Sequence, residues 1–318
     1  MIGCLTTNLK AQSIEDDIFI TDFELLYGND QGSIHDMVAY GEQKVILSTT
    51  YGSSTVHIIL LSKENFHLDS LSVRCAPANL SLKYDYAKQL FYFKPLFFYK
   101  SECCALDYER GQLIFGVENN HLFVVDCEKF GKGNQGQDRF YFQSHLVSFN
   151  EVERRRHSEQ TVYIDNKEVI NFKIEGEDEI EHIYAFAEFV DSNSLSILDI
   201  YHKELYKFDG SLEYKSFKNS ALPAVADYRL ASSQLFKFQN GYMVFYRFFT
   251  PEETGNRVQK LFYFDENQVI DLSDKLPKRD IFKVNIINQY LYVLVTHEID
   301  DWRRNMMYKR EIPLFLNN

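Results

Sequence analysis

The chemistry-bearing side chains of this 318-residue chain include nine histidines, five cysteines and 46 acidic residues, and their spacing forms no recognisable reaction centre. The histidines are His35, His57, His67, His121, His145, His157, His182, His202 and His297. No two stand at i,i+4 with an intervening Glu, and none sits beside a cysteine at zinc-ligand spacing. Metal ligands are therefore not assigned. Gly131-Lys132-Gly133-Asn134-Gln135-Gly136 matches the spacing of a dinucleotide-binding loop. That loop works only between a strand and a helix whose N-terminus holds the pyrophosphate. Here Leu122–Asp126 reads as a strand before it, but Asp138–Phe142 reads as a second strand after it, so a flexible connection and no cofactor are expected. A Gly-x-Ser-x-Gly elbow for a nucleophilic serine is absent. Gly52-Ser53-Ser54 instead sits where a hairpin turn is expected. The carboxylate pairs Asp16/Asp17 and Asp300/Asp301 have the residue type for general acid–base work, yet nothing separates them from solvated turn residues. No catalytic residues follow from the sequence.

Two segments point to recognition instead. Glu175, Glu177, Asp178, Glu179 and Glu181 crowd into one connection, where like charges repel unless water or a basic partner faces them. Asp300-Asp301-Trp302-Arg303-Arg304 sets the single tryptophan in a polar connection, and Trp is a frequent anchor of interfaces because a rigid ring buries much area at little entropic cost. These eight residues, Glu175, Glu177, Asp178, Glu179, Glu181, Asp300, Asp301 and Trp302, are the expected partner-binding set. Glu153-Arg154-Arg155-Arg156-His157 is a short basic run in an expected loop, read as solvent-facing or paired with acids. The formal net charge of −12 disfavours nucleic acid and anionic membranes and favours a basic protein. No apolar run is long enough for a membrane-spanning helix. The start lacks a basic segment followed by an apolar one, so a cytoplasmic location is expected. The cysteines (Cys4, Cys75, Cys103, Cys104, Cys127) are odd in number and form no Cys-x-x-Cys pair, which predicts reduced thiols.

The elements that must position such residues are strands. Aromatic residues make up 15% of the chain, with 27 Phe and 21 Tyr, a bias towards pleated, half-buried surfaces. Short apolar runs recur, beginning at Val45, Leu90, Phe140, Leu195, Tyr242 and Tyr290, with steps of 45, 50, 55, 47 and 48 residues. A four-stranded propeller blade takes about 40–50 residues. The unit from Ile183 to Phe217 reads as a full blade, with turns at Asp191-Ser192-Asn193-Ser194 and Asp209-Gly210. Leu235–Phe238, a turn at Gln239-Asn240-Gly241 and the Tyr242 strand read as a hairpin, the Asn-Gly pair tolerating the positive φ that such turns need.

In this repeat the chain resembles β-propellers, in architecture alone. No Trp-Asp dipeptide closes a unit, and no Gly-Gly doublet or Asp-box pattern is present. The expected fold is a single-domain, all-β β-propeller over residues 1–318, with about six four-stranded blades. Approximate blades are 28–80, 81–120, 121–173, 174–220, 221–275 and 276–318 with 11–27, an N-terminal strand closing the last. The third unit is irregular, with a hairpin from Thr161 to Lys173. The expected function is a non-enzymatic acidic protein-binding module of a bacterial cytoplasm, an inhibitor or immunity protein neutralising a basic toxin such as a nuclease. A propeller-type hydrolase with a site in an axial channel and an intracellular scaffold or sensor are the alternatives.

Overall fold

The computed structural model describes residues 24–27, 32–50, 52–77, 80–102, 104–129, 138–154, 157–175, 186–210, 213–223, 229–249, 257–287, 289–299 and 302–312, some of them by backbone alone. Among the described residues it holds 24 strands, one 3-10 turn at Ser273–Lys275 and no α-helix. Among the described residues no helix is long and apolar enough to cross a membrane.

The strands form six antiparallel sheets of four. β1 (Glu24–Tyr27) belongs to the last of them. The first comprises β2 (Gly32–Tyr40), β3 (Gln43–Thr50), β4 (Thr55–Leu61) and β5 (His67–Arg74). The second takes β6 (Ser81–Asp85), β7 (Leu90–Lys94), β8 (Gly111–Glu118) and β9 (His121–Lys129). The third has β10 (Asp138–Phe142), β11 (His145–Arg154), β12 (His157–Ile164) and β13 (Lys167–Glu175). The fourth has β14 (Phe186–Val190), β15 (Leu195–Asp199), β16 (Glu204–Phe208) and β17 (Tyr214–Lys218). The fifth has β18 (Arg229–Phe238), β19 (Gly241–Phe249), β20 (Arg257–Phe264) and β21 (Val269–Asp271). The sixth runs in the order β1, β24 (Trp302–Glu311), β23 (Tyr290–Ile299), β22 (Ile281–Ile287). This is the expected all-β fold of β-propeller class, with six four-stranded blades. The N-terminal strand completes the last blade, Glu24 pairing with Lys309 and Leu25 with Tyr308.

Inner strands explain the continuous apolar runs. β15 is buried at every position and β3 from Lys44 to Thr49, because both faces of an inner strand are covered. Outer strands such as β5 and β17 are mostly open to solvent. The chain divides into two compact units, 1–82 with 91–129 and 277–318, and 83–90 with 130–276. In the first unit, Ile34, Ile46 and Leu61 of the first blade pack on Leu294 and Met307 of the sixth. In the second, Val147, Val162 and Ile170 of the third blade pack on Leu195, Ile197 and Phe208 of the fourth. Leu198 and Leu205 of the fourth blade then join Val244, Tyr246 and Phe264 of the fifth. Each fully buried side chain of this size contributes about 1.5–3 kcal/mol.

Several expectations are corrected. His121–Lys129 is the outer strand of the second blade and does not open the third, since Asn119 and Asn120 at φ 51 and 65 make a tight hairpin from β8 to β9. The Thr161–Lys173 hairpin is β12–β13, an ordinary half of the third blade. Arg154 ends β11 and His157 starts β12, so the basic run lies largely in strands; Arg155 and Arg156 are outside the described residues. The Gln239–Gly241 hairpin forms, but its glycine is not a turn residue. Gln239 carries the positive φ of 50, while Gly241 already pairs with Phe238. A Cβ there would lie 2.6 Å from the Phe264 carbonyl oxygen and 2.5 Å from the Tyr263 hydroxyl, so the position is kept small by its neighbours. Finally, Cys104 and Cys127 form a disulfide with Cα atoms 5.5 Å apart, against the expectation of reduced thiols. Partners 23 residues apart, brought together by the β7–β8 connection, give no local signal. Cys75 is buried, and Cys4 and Cys103 lie outside the described residues.

Candidate functional site

Of the eight residues expected to bind a partner, Glu177, Asp178, Glu179, Glu181, Asp300 and Asp301 lie outside the described residues. Glu175 ends β13 opposite His157, and Trp302 opens β24 opposite Ile299, each described by its backbone. Trp302 is thus a strand residue and not part of a connection. The glycine-rich run 131–136 is also outside the described residues, and the segment after it is β10, the strand expected there.

The described histidines are scattered. His297 is buried, its Nε2 2.8 Å from the Tyr308 hydroxyl. His35 Nε2 is 2.8 Å from Thr49 Oγ1, and burial lowers its pKa while neighbouring Asp36 opposes the shift. His145 and His202 sit 2.5 and 2.7 Å from Asp165 and Asp199. Among the described residues no three His, Cys, Asp or Glu side chains gather as a metal site would require.

Two features missed by motif reasoning stand out, one in each unit. In the first unit, β9 carries Phe123, Val124 and Val125 at 42%, 37% and 50% exposure. Three successive exposed apolar residues are unusual on a strand, and a shift in register between Ile114 and Phe115 lets them depart from simple alternation. Gly116 leaves space for the Phe123 ring across the pair, where a Cβ would meet its Cζ at 2.5 Å. Among the described residues β9 is hydrogen-bonded as a strand only to β8. Its two ends are fixed. Leu122 N donates to Asp69 Oδ2 at 2.7 Å, while the Cys104–Cys127 bond and the Lys129–Glu109 ion pair hold the other end. Partial burial pushes the Asp69 carboxyl up, but amide donors at Leu122 and Ser70 outweigh it and hold it below the usual carboxylate value. Asp126 and Glu128 lie exposed on the same strand. Beside its fixed ends are two highly exposed aromatics, Phe66 at 70% before β5 and Tyr108 at 78% next to Glu109.

In the second unit, turns at one end of the fourth and fifth blades enclose a cleft of about 520 Å³. Ser194 from the β14–β15 turn and Gln239–Asn240 from the β18–β19 turn form two of its edges. The β16–β17 hairpin supplies Phe208 and Tyr214, which are cross-strand partners. Tyr214 is 45% exposed, its ring held by Tyr206 and Phe208 with centroids 5.3 and 5.5 Å away. Deeper in, Tyr242 is fixed by Ser196, the two hydroxyl oxygens 2.8 Å apart. Burial raises its pKa, which the Ser196 bond partly opposes, so it is a neutral hydroxyl at ordinary pH. Lys207, Lys215 and Lys237 line the same cleft together with Asp209 and Glu213. Alternation of charged and aromatic residues through β16 and β17 was the available signal, but it does not separate a cleft from an ordinary outer hairpin.

No protein-family model matches the chain, and no curated protein matches it. Solved structures do. The acylaminoacyl peptidase of Pyrococcus horikoshii is 10% identical over 89% of this chain and 52% of its own, with a TM-score of 0.43. The chain thus spans about half the length of that peptidase. The polysaccharide lyase Uly1 is 8% identical over 91% of both chains, with a TM-score of 0.45. A catalytically inactive virginiamycin B lyase from Staphylococcus aureus is 7% identical over 91% of this chain and all of its own, at 0.41. At these identities and scores the likeness carries no functional information.

Proposed function

We propose that this chain is a non-enzymatic binding module that captures a basic protein through the outer edge of its second blade. The observation that carries the reading is β9, where Phe123, Val124 and Val125 stand exposed beside Asp126 and Glu128 on a strand whose ends are pinned. An extended segment of a partner can add to such an edge by backbone pairing, with apolar and charged side chains setting specificity. The net charge of −12 selects a basic partner and accelerates its approach. Within this class we infer an inhibitor or immunity protein that neutralises a basic toxin such as a nuclease, because blocking a phosphate-gripping surface requires complementary charge and shape rather than catalysis.

The test is co-purification of wild-type protein and a Val125→Asp variant from the source cell, followed by association kinetics with the recovered protein. The expected result is a stoichiometric basic partner that the variant fails to retain. Its association rate falls as salt rises. A partner retained by Val125→Asp, or one whose on-rate ignores ionic strength, overturns the reading.

A further inference from the structure

We propose that the Cys104–Cys127 disulfide is a thiol-sensitive switch that holds the distal half of β9 against its blade and releases it on reduction. The consequence for docking rests on the reading of β9 given above; the release itself does not. β9 has little else to hold it. Of its nine residues Leu122 alone is buried and Cys127 is half-buried, while the others are exposed. The register shift between Ile114 and Phe115 interrupts the ladder, so residues 126–129 form a separate stretch paired with residues 111–114. Apart from that pairing, the stretch is tied by the Gln112 Nε2 to Glu128 Oε2 bond at 2.7 Å and by the Lys129–Glu109 ion pair. Both lie at the surface, where such contacts add little. The disulfide is its firmest attachment, joining Cys127 to Cys104, which is 2% exposed.

The core of the blade lies elsewhere. Phe91, Phe93, Phe98, Leu113 and Phe115 are fully buried, Phe91 and Phe115 stacked at 5.0 Å, and none belongs to β9. Release of residues 126–129 therefore carries no buried apolar side chain out of the sheet. Cys104 is shielded, so a reducing thiolate meets Cys127 Sγ first. It forms a mixed disulfide there and expels Cys104 as a thiolate, which takes a proton. A second thiol of the reductant attacks the mixed disulfide and releases Cys127, which also takes a proton. Two electrons pass: the protein gains two thiols and the reductant leaves as its own disulfide. A low-molecular-weight thiol or a dithiol protein is the class of reductant, and a disulfide oxidant reverses the step. In the oxidised chain β9 is a continuous edge. In the reduced chain its acidic end, with Asp126 and Glu128, leaves the sheet and takes away the groups that meet a basic segment.

Hydrogen exchange of the full chain, oxidised and then reduced with dithiothreitol well below its melting range, tests this. Reduction is expected to speed exchange at residues 126–129 by at least about tenfold, while the amides of β3 and β7 keep their protection. Oxidised glutathione restores the slow rate. The Cys104→Ser, Cys127→Ser variant exchanges at the fast rate with or without reductant. Equal exchange of residues 126–129 in the two states overturns the switch. So does acceleration of β3 and β7 alongside them, which would make the bond a stabiliser of the whole fold. A basic protein recovered with the oxidised chain is expected to dissociate at least about tenfold faster once dithiothreitol is added. Its retention by a reduced chain whose β9 has opened overturns the docking role. Failure to recover any partner sensitive to Val125→Asp counts against the proposed function alone, and the exchange result stands apart from it.

Discussion

Asp36 shows how one side chain can join several segments. It is 2% exposed, accepts the Met37 and Leu82 amides at 2.6 and 3.1 Å, and takes the Lys283 ammonium on the same carboxylate. Removing one member of a fully buried ion pair costs about 3–5 kcal/mol. Lys283 keeps 28% exposure, so water softens the loss, and Asp36→Ala is expected to cost about 2–3 kcal/mol in denaturant unfolding. Asp36→Asn, which retains an acceptor, recovers part of it. An unchanged midpoint for Asp36→Ala would show that the cluster contributes nothing. Gly241→Ala tests packing instead: the added Cβ meets a carbonyl oxygen and a tyrosine hydroxyl at 2.6 and 2.5 Å. An overpacking penalty of about 1–3 kcal/mol is expected. That role was invisible in the sequence, where Asn240-Gly241 reads as a turn pair. The hairpin was legible from its turn residues, but the need for a missing side chain arises from Tyr263 and Phe264 on the neighbouring strand β20.

At the scale of elements, inner strands were the easiest to read, because β3, β15 and β19 are apolar on both faces and keep a spacing near fifty residues. The outer strands were harder. β9 was assigned to the wrong blade because Asn119-Asn120 is as short as any turn within a blade, and nothing local distinguishes an outer strand from the first strand of the next. The disulfide depends on this hairpin and on the β7–β8 connection that carries Cys104. It closes a loop of 23 residues, and loss of such a constraint costs about 3 kcal/mol in the chain-entropy account. A Cys104→Ser, Cys127→Ser double variant is therefore expected to melt about 5 °C or more below the parent. Reductant should lower the parent towards the variant and leave the variant unchanged. Equal melting of all three would mean that the bond does not constrain the unfolded chain. The cleft and the proposed docking edge were the least legible features. Tyr214, Lys215 and Phe123–Val125 are ordinary strand residues by type, and only their exposure and neighbours set them apart.

Across the whole molecule the cores are unusually rich in phenols, and this predicts an alkaline limit to stability. Tyr246, Tyr263 and Tyr308 are each at most 2% exposed and come from the fifth and sixth blades. Burial raises all three, Tyr263 to about 12 with Asp265 adding to the shift, and burial likewise lifts Tyr201 and Tyr292 to about 12. The unfolded value is 10.0, so below that pH both states keep the proton and the packing contribution is complete. Above it the unfolded chain releases protons that the folded core retains, and stability must fall as pH rises. Each tyrosine protonated only in the folded state removes about 1.4 kcal/mol per pH unit. Several acting together exceed the reserve of an ordinary domain, about 5–15 kcal/mol, within two or three pH units. Between pH 10 and 12, tyrosinate absorbance is therefore expected to rise in one cooperative step that coincides with loss of strand circular dichroism. A gradual titration of all 21 tyrosines near 10 with the sheets intact would mean that these phenols are not enclosed by the blades.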